Sequence, residues 1–163
     1  MITQEYLKSI LDYNEETGYF TWKIKKSAKT VVGSIAGTLN HSGYWQIGID
    51  NKLYSSHRLV WLFVFNSYPT RQIDHINCKK GDNRLVNLRL ATPAENQWNR
   101  GIPVNNTTGF KGVSWSKKSN KYQAQISKNG KKINLGFFNS AEEASKAYKD
   151  FAKEHTGEFY YEH

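Results

Sequence analysis

The stretch from Ile73 to Trp98 leaves a chain few ways to fold. Residues 73–76 read as a short extended piece, 77–87 as a polar loop and 88–91 as a second extended piece. Thr92-Pro93-Ala94-Glu95 then opens a helix with three agreeing signals: an N-cap Thr92, a proline at the first helical position, and Glu95 placed to close a capping box. The order is strand, long loop, strand, helix. It can hold a compact site.

Upstream, residues 3–12 read as a short helix, with Tyr6, Leu7, Ile10 and Leu11 as its apolar stripe. Turn residues at 14–18 precede strand-like runs at 19–25, 31–39, 44–49 and 53–56. His41-Ser42-Gly43 and Asp50-Asn51 are the turns between the later runs. Residues 58–65 suit a buried helix stopped by Pro69, although so apolar a run also fits a strand. Gly101-Ile102-Pro103-Val104-Asn105-Asn106-Thr107-Thr108-Gly109 has linker composition. The expected division is therefore a first domain at 1–102, a linker at 103–109 and a second domain at 110–163.

In the second domain, strand-like runs at 110–116, 122–127 and 132–138 are joined by turns, one marked by Asn129-Gly130. Ser140-Ala141-Glu142-Glu143 is another capping-box pattern, opening a helix to about residue 155 with Gly157 as the stop. Ala144, Ala147, Tyr148, Phe151 and Ala152 share one helical face, small enough to lie close to a sheet. The expected class is α+β.

The formal charge of +9 over 163 residues is spread along the chain, since residues 103–163 alone carry 10 basic and 6 acidic side chains. A protein bound along a polyanion needs that distribution, and a merely soluble one tolerates it. Cys78 is the only cysteine, which excludes an intrachain disulfide and a cysteine-rich zinc site. The N-terminal residues lack a signal-peptide pattern, and the longest apolar run, residues 59–65, is far too short to span a bilayer. A soluble protein of the cytoplasm, with no membrane partner, is expected.

Asp74-His75 alone is a weak signal, most often a surface hydrogen-bonded pair. Here the pair ends a strand, and a capped helix carrying Asn96 and Asn99 follows. That helix can fold back to bring Asn96 beside Asp74. Asp and Asn oxygens suit a hard ion such as Mg²⁺, and a neutral histidine beside it can activate water.

His57-Arg58-Leu59-Val60, Ile73-Asp74-His75-Ile76-Asn77, Asp82-Asn83-Arg84, Asn87-Leu88-Arg89 and Thr92-Pro93-Ala94-Glu95-Asn96 together resemble the HNH endonucleases. The nearest subgroup is the phage and homing type with a terminal Asn, and the likeness covers roughly residues 10–100. It implies a ββα-metal finger at about 72–100 within a hairpin-rich domain. It also implies Asp74 and Asn96 as ligands of one Mg²⁺, with Mn²⁺ able to substitute and no zinc or small-molecule cofactor. His75 becomes the general base and Asn87 the brace of its loop. The implied reaction leaves a 5′-phosphate and a 3′-hydroxyl on double-stranded DNA. Cys78 stands where glycine is frequent in relatives, so its loop is expected to turn differently. Arg84, Arg89 and Arg100 are candidate phosphate clamps or plain surface residues. His57 is open between a role near the site and a structural one. Trp22, Trp45, Trp61 and Trp98 read as core.

Strand alternation in the second domain turns Ala124, Ile126, Ile133 and Leu135 inward and Gln123, Gln125, Ser127, Lys132 and Asn134 outward. Phe110-Lys111-Gly112-Val113-Ser114-Trp115, Leu135-Gly136-Phe137-Phe138 and Ala141-Glu142-Glu143-Ala144 resemble the Apetala/ethylene-response-factor DNA-binding domain over residues 107–160. That likeness implies a three-stranded sheet on one helix, read into the major groove. It gives Lys111, Trp115, Gln125, Lys132 and Asn134 as DNA contacts. The segment has no arginine, and lysine contacts phosphate or base as a point charge without a fork. Two competing readings are a non-cutting DNA-binding regulator and an RNA-binding protein. A monomer is expected, with a dimer left open.

Overall fold

The computed structural model describes residues 2–128 and 130–160 as a mixed α+β protein built on small antiparallel sheets. Two compact units divide it, residues 1–91 and 92–163. The division falls ahead of the 103–109 segment, because the helix after Ala91 groups with the second unit.

The first unit begins with α1 (Gln4–Ile10), capped by Thr3, whose side chain accepts from the Tyr6 amide. The chain then turns directly into β1 (Leu11–Tyr13), paired antiparallel with β2 (Phe20–Trp22). The helix and β2 are shorter than their sequence patterns, and Leu11, expected on the helix's apolar stripe, begins a strand instead. Of the strand expected over 31–39, only β3 (Thr38–Leu39) forms, beside an isolated bridge from Ile35 to Thr21. Gly33 and Gly37 at φ +83° and +90° break the extended run. A side chain at Gly37 would stand 2.2 Å from the Gln46 carbonyl oxygen, so the backbone crosses there at glycine-only distance.

β4 (Trp45–Ile49) and β5 (Lys52–Ser55) form a hairpin. Its Asp50-Asn51 turn has both residues at positive φ, the conformation that two-residue hairpins favour. The apolar run after it is helix α2 (Ser56–Phe65), ended by left-handed Asn66 before Pro69 is reached. Leu7, Ile10, Leu11, Phe20, Ile47, Ile49, Leu59 and Val60 are essentially sealed from solvent and form the core. Trp22, Trp45 and Trp61 pack against it, half-buried. Against this base lies the hairpin of β6 (Gln72–His75) and β7 (Leu88–Ala91), with Ile73 and Leu88 in the same core.

In the second unit α3 (Pro93–Trp98) starts as its sequence predicts. Thr92 Oγ1 accepts from the Glu95 amide at 3.2 Å, and Glu95 Oε2 accepts from the Thr92 amide at 2.7 Å. The sheet runs β10 (Lys131–Phe138), β9 (Lys121–Lys128), β8 (Val113–Ser116), with α4 (Ala141–Thr156) packed on all three strands. Asn129, half of the expected turn signal, lies outside the described residues. Strand β8 starts only after Gly112, at φ +72°, where a Cβ would fall 2.1 Å from the Tyr148 ring. That close approach lets Ala144, Tyr148 and Ala152 seat against Val113, Ala124 and Ile126. At the start of α4 the Glu143 carboxylate accepts from the Asn139 amide, one residue earlier than a capping box requires. No helix among the described residues is long and apolar enough to cross a membrane.

Candidate active site on the β6–β7 hairpin

Register places Asp74 opposite Arg89 and His75 opposite Leu88, so the two candidate residues face opposite sides of one strand. Asp74 is 4% exposed. Its Oδ2 accepts from Arg89 Nε at 2.9 Å and Nη2 at 2.8 Å, a forked contact inside the protein. Arg89 therefore stands on the carboxylate, where the sequence offered it as a phosphate clamp. Arg84 likewise forks onto Asp82, at 2.8 and 2.6 Å, and holds that carboxyl down at about 2.

The loop between the strands is wired by side-chain amides. Asn87 accepts from the Asn77 backbone amide at 3.0 Å and donates to the Asp82 carbonyl at 2.8 Å, tying the start and the middle of the loop to one residue. Asn77 Nδ2 donates to Asp82 at 2.7 Å. The Cys78 amide donates to the His75 carbonyl at 2.8 Å, and Cys78 adopts φ +60°. This is the conformation for which glycine is the easy residue, so the loop keeps a glycine-type turn with a cysteine in it.

His75 is 5% exposed, and burial holds its imidazole below the usual histidine range. Its Nε2 lies 3.2 Å from Asn83 Oδ1. Asn83 is wholly buried and donates to the Gly81 carbonyl at 3.2 Å. Tyr13, from β1, fastens this segment: its hydroxyl donates to the Asn83 carbonyl at 2.9 Å and accepts from the Leu85 amide at 3.0 Å. Burial pushes that phenol up to about 12.

His57, at the start of α2, meets His75 edge-on with ring centres 5.3 Å apart. Burial, then the neighbouring charges of His75 and Arg58, press its pKa down to about 4. Tyr44 leans on both histidines, and Lys80 Nζ sits 5.0 Å above the Tyr44 ring. Sequence reasoning assigned no role to Asn83, Tyr44 or Lys80. Asn83 stood within a recognised motif without a partner to explain it, and Tyr44 carried no signal at all.

A prediction follows from His57. Unfolding returns its pKa from about 4 to the ordinary value near 6.5, so the unfolded chain binds the extra proton. Its contribution to stability is complete at pH 7 and is lost as pH falls, by up to about 3 kcal/mol at pH 4. Urea midpoints measured from pH 7 to pH 4 should fall steadily in the natural protein and much less in His57→Gln. Parallel slopes would contradict this assignment.

The remaining candidates lie in the second unit. Asn96 is half-buried on α3, and Asn99 is buried at its end. Arg100 is exposed just beyond. Trp98 Nε1 donates to the Ser127 carbonyl at 2.7 Å, and Lys111 Nζ donates to the Trp98 carbonyl, so both side chains fasten α3 to the sheet. Gln125 pairs with Asn134 and Ser127 with Lys132, which puts Gln125, Lys132 and Asn134 on one face with Gln123 and Phe137. Trp115 is paired with Tyr122 on the opposite face, that of Val113 and Ala124, and its ring packs edge-on against Tyr122.

A buried Asp-His step on a hairpin, with an asparagine-laced loop between the strands, brings together groups that suit a hydrolase. Comparisons with known proteins agree with that class. Residues 54–98 match the family model described as HNH endonuclease. Protein 3.8 of Escherichia phage T7 is 40% identical over 80 residues, 48% of this chain and 66% of that protein. An uncharacterized HNH endonuclease, L560, of Acanthamoeba polyphaga mimivirus is 31% identical over 131 residues, 79% of this chain and 67% of its own length. The chain thus spans about two thirds of each relative. No solved structure matches it. The chain belongs to the HNH endonuclease family, a family of nuclease hydrolases.

Proposed function

We propose that this protein is a metal-dependent DNA endonuclease of the phage and homing type. It hydrolyses a phosphodiester of double-stranded DNA to a 5′-phosphate and a 3′-hydroxyl. The observation that carries the reading is the step from Asp74 to His75. A sealed carboxylate, already drawing a guanidinium to itself, adjoins a buried histidine whose basicity is tuned for the neutral form.

The donor chemistry fits a hard divalent ion. A carboxylate as enclosed as Asp74 requires a counter-cation, a place Arg89 now takes at Oδ2, and an ion would replace that guanidinium. Asp74 and Asn96 would hold Mg²⁺, or Mn²⁺ in its place, through oxygen atoms. The ion would supply Lewis-acid stabilisation of charge on the phosphate and leaving oxygens. His75 takes the proton from the attacking water. Asn87 keeps the loop closed behind it, and Arg84, Arg100 and, once drawn off Asp74, Arg89 are the cations available to the phosphate backbone.

The second domain, residues 110–163, supplies DNA affinity in the manner of the Apetala/ethylene-response-factor sheet. Gln125, Lys132 and Asn134 share the face suited to it; Lys111 and Trp115 are the remaining contact candidates, Trp115 lying on the face of Val113 and Ala124. Tethering the two modules raises the local concentration of one at the other's site. A monomer in the host cytoplasm with one such site nicks, and sequential action or a dimer cuts both strands.

The test is incubation of the purified protein with supercoiled plasmid and with phage genomic DNA, in Mg²⁺, Mn²⁺ or EDTA, followed by ligation without prior kinase treatment. Metal-dependent nicks that religate directly are expected. Binding without cutting in every metal, on DNA shown to contain the bound site, would leave a DNA-binding regulator instead.

A further inference from the structure

We infer that Asn83 is a positioning residue: its amide oxygen fixes the tautomer and aim of the His75 imidazole. The inference rests on the reading of His75 as the base. Its geometry stands without that reading.

An amide oxygen only accepts, so a contact of 3.2 Å between Asn83 Oδ1 and His75 Nε2 places the ring proton on Nε2. Nδ1 is then the basic nitrogen. Asn83 is suited to this because it cannot turn away. Its Nδ2 is committed to the Gly81 carbonyl, which sets which end of the amide faces the ring. Its own carbonyl is held by the Tyr13 hydroxyl, and that hydroxyl also holds the Leu85 amide. Gly18 presses against the same peptide: a Cβ there would stand 2.6 Å from the Asn83 carbonyl carbon and 2.4 Å from the Arg84 nitrogen. Two contacts from the β1–β2 hairpin thus brace the residue that faces the histidine. The side chain is sealed from solvent, so water does not compete for the ring proton.

The division of labour with Asn87 is then distinct. Asn87 binds backbone groups at 77 and 82 and shapes the loop. Asn83 touches the ring itself.

The test combines a spectroscopic and a kinetic reading on the full chain. Long-range nitrogen–proton NMR of His75, assigned by loss of its signals in His75→Ala, reports which nitrogen carries the proton. The natural protein is expected to show the Nε2–H form. Asn83→Leu, near in volume but without an acceptor, is expected to lose that preference. Its single-turnover cleavage rate should fall about 100-fold or more, with DNA affinity within twofold of natural. The tautomer of the natural protein is read without any substitution, which covers the case of a poorly folding leucine variant. An Nδ1–H tautomer in the natural protein would overturn the inference. So would an unchanged tautomer and rate in Asn83→Leu. Failure of His75 as the base appears separately, as cleavage that survives His75→Ala while the tautomer result stands.

Discussion

Asp74→Ala is expected to abolish metal-supported cleavage and, independently, to destabilise the first unit by about 3 kcal/mol. The two effects have different causes. Cleavage is lost because the carboxylate proposed to hold the ion is gone. Stability is lost because Arg89, whose side chain is only 12% exposed, loses the carboxylate that receives its fork. A buried charge deprived of its partner costs more than the pair contributes when intact. Removing both charges separates the effects: Asp74→Ala combined with Arg89→Met should recover most of the lost stability and none of the cleavage. Melting curves and a plasmid assay on the single and double variants read the two quantities. Recovery of both together would show that Asp74 serves the fold alone.

Gly18→Ala is expected to be, with Gly37→Ala, among the most damaging small substitutions in the first unit. Gly18 sits at φ +74°, and its missing Cβ is the space taken by backbone atoms at residues 83 and 84. Left-handed geometry costs an alanine about 1 kcal/mol, and forcing two backbones apart adds about 3 kcal/mol. Backbone cannot move aside as a side-chain tip can. The melting temperature should fall by about 10 °C or more. Well below the new melting point, cleavage should still be about 100-fold slow, because the displaced segment carries Asn83 away from His75. A variant melting within a degree or two of the natural protein would contradict the buttressing role of the β1–β2 turn.

These two positions mark where the sequence was readable and where it was not. The start of α3 was legible to the atom, since Thr92, Pro93 and Glu95 act on one another within four residues. The Asp50-Asn51 turn was legible for the same local reason. Residues 31–39 misled because β-branched residues favour strands, while Gly33 and Gly37 impose positive φ for a crossing that no local pattern announces. Asp74 and His75 gained meaning only from their surroundings and from resemblance to a family. The contacts that aim His75 were out of reach. Tyr13 meets Asn83 across 70 positions, and neither periodicity nor spacing encodes such a meeting. Arg89 read as a surface cation because its register opposite Asp74 is a property of the hairpin and not of either residue.

The proposed role of His75 is to activate water for cleavage of bound DNA. The most direct measurement compares the natural protein with His75→Ala on a plasmid carrying a site both bind, in Mg²⁺ and in Mn²⁺, with affinity read in parallel by gel shift. Nicking is expected to fall about 1,000-fold or more in the variant while affinity stays within twofold. Nicking that persists in His75→Ala at a comparable rate would contradict it.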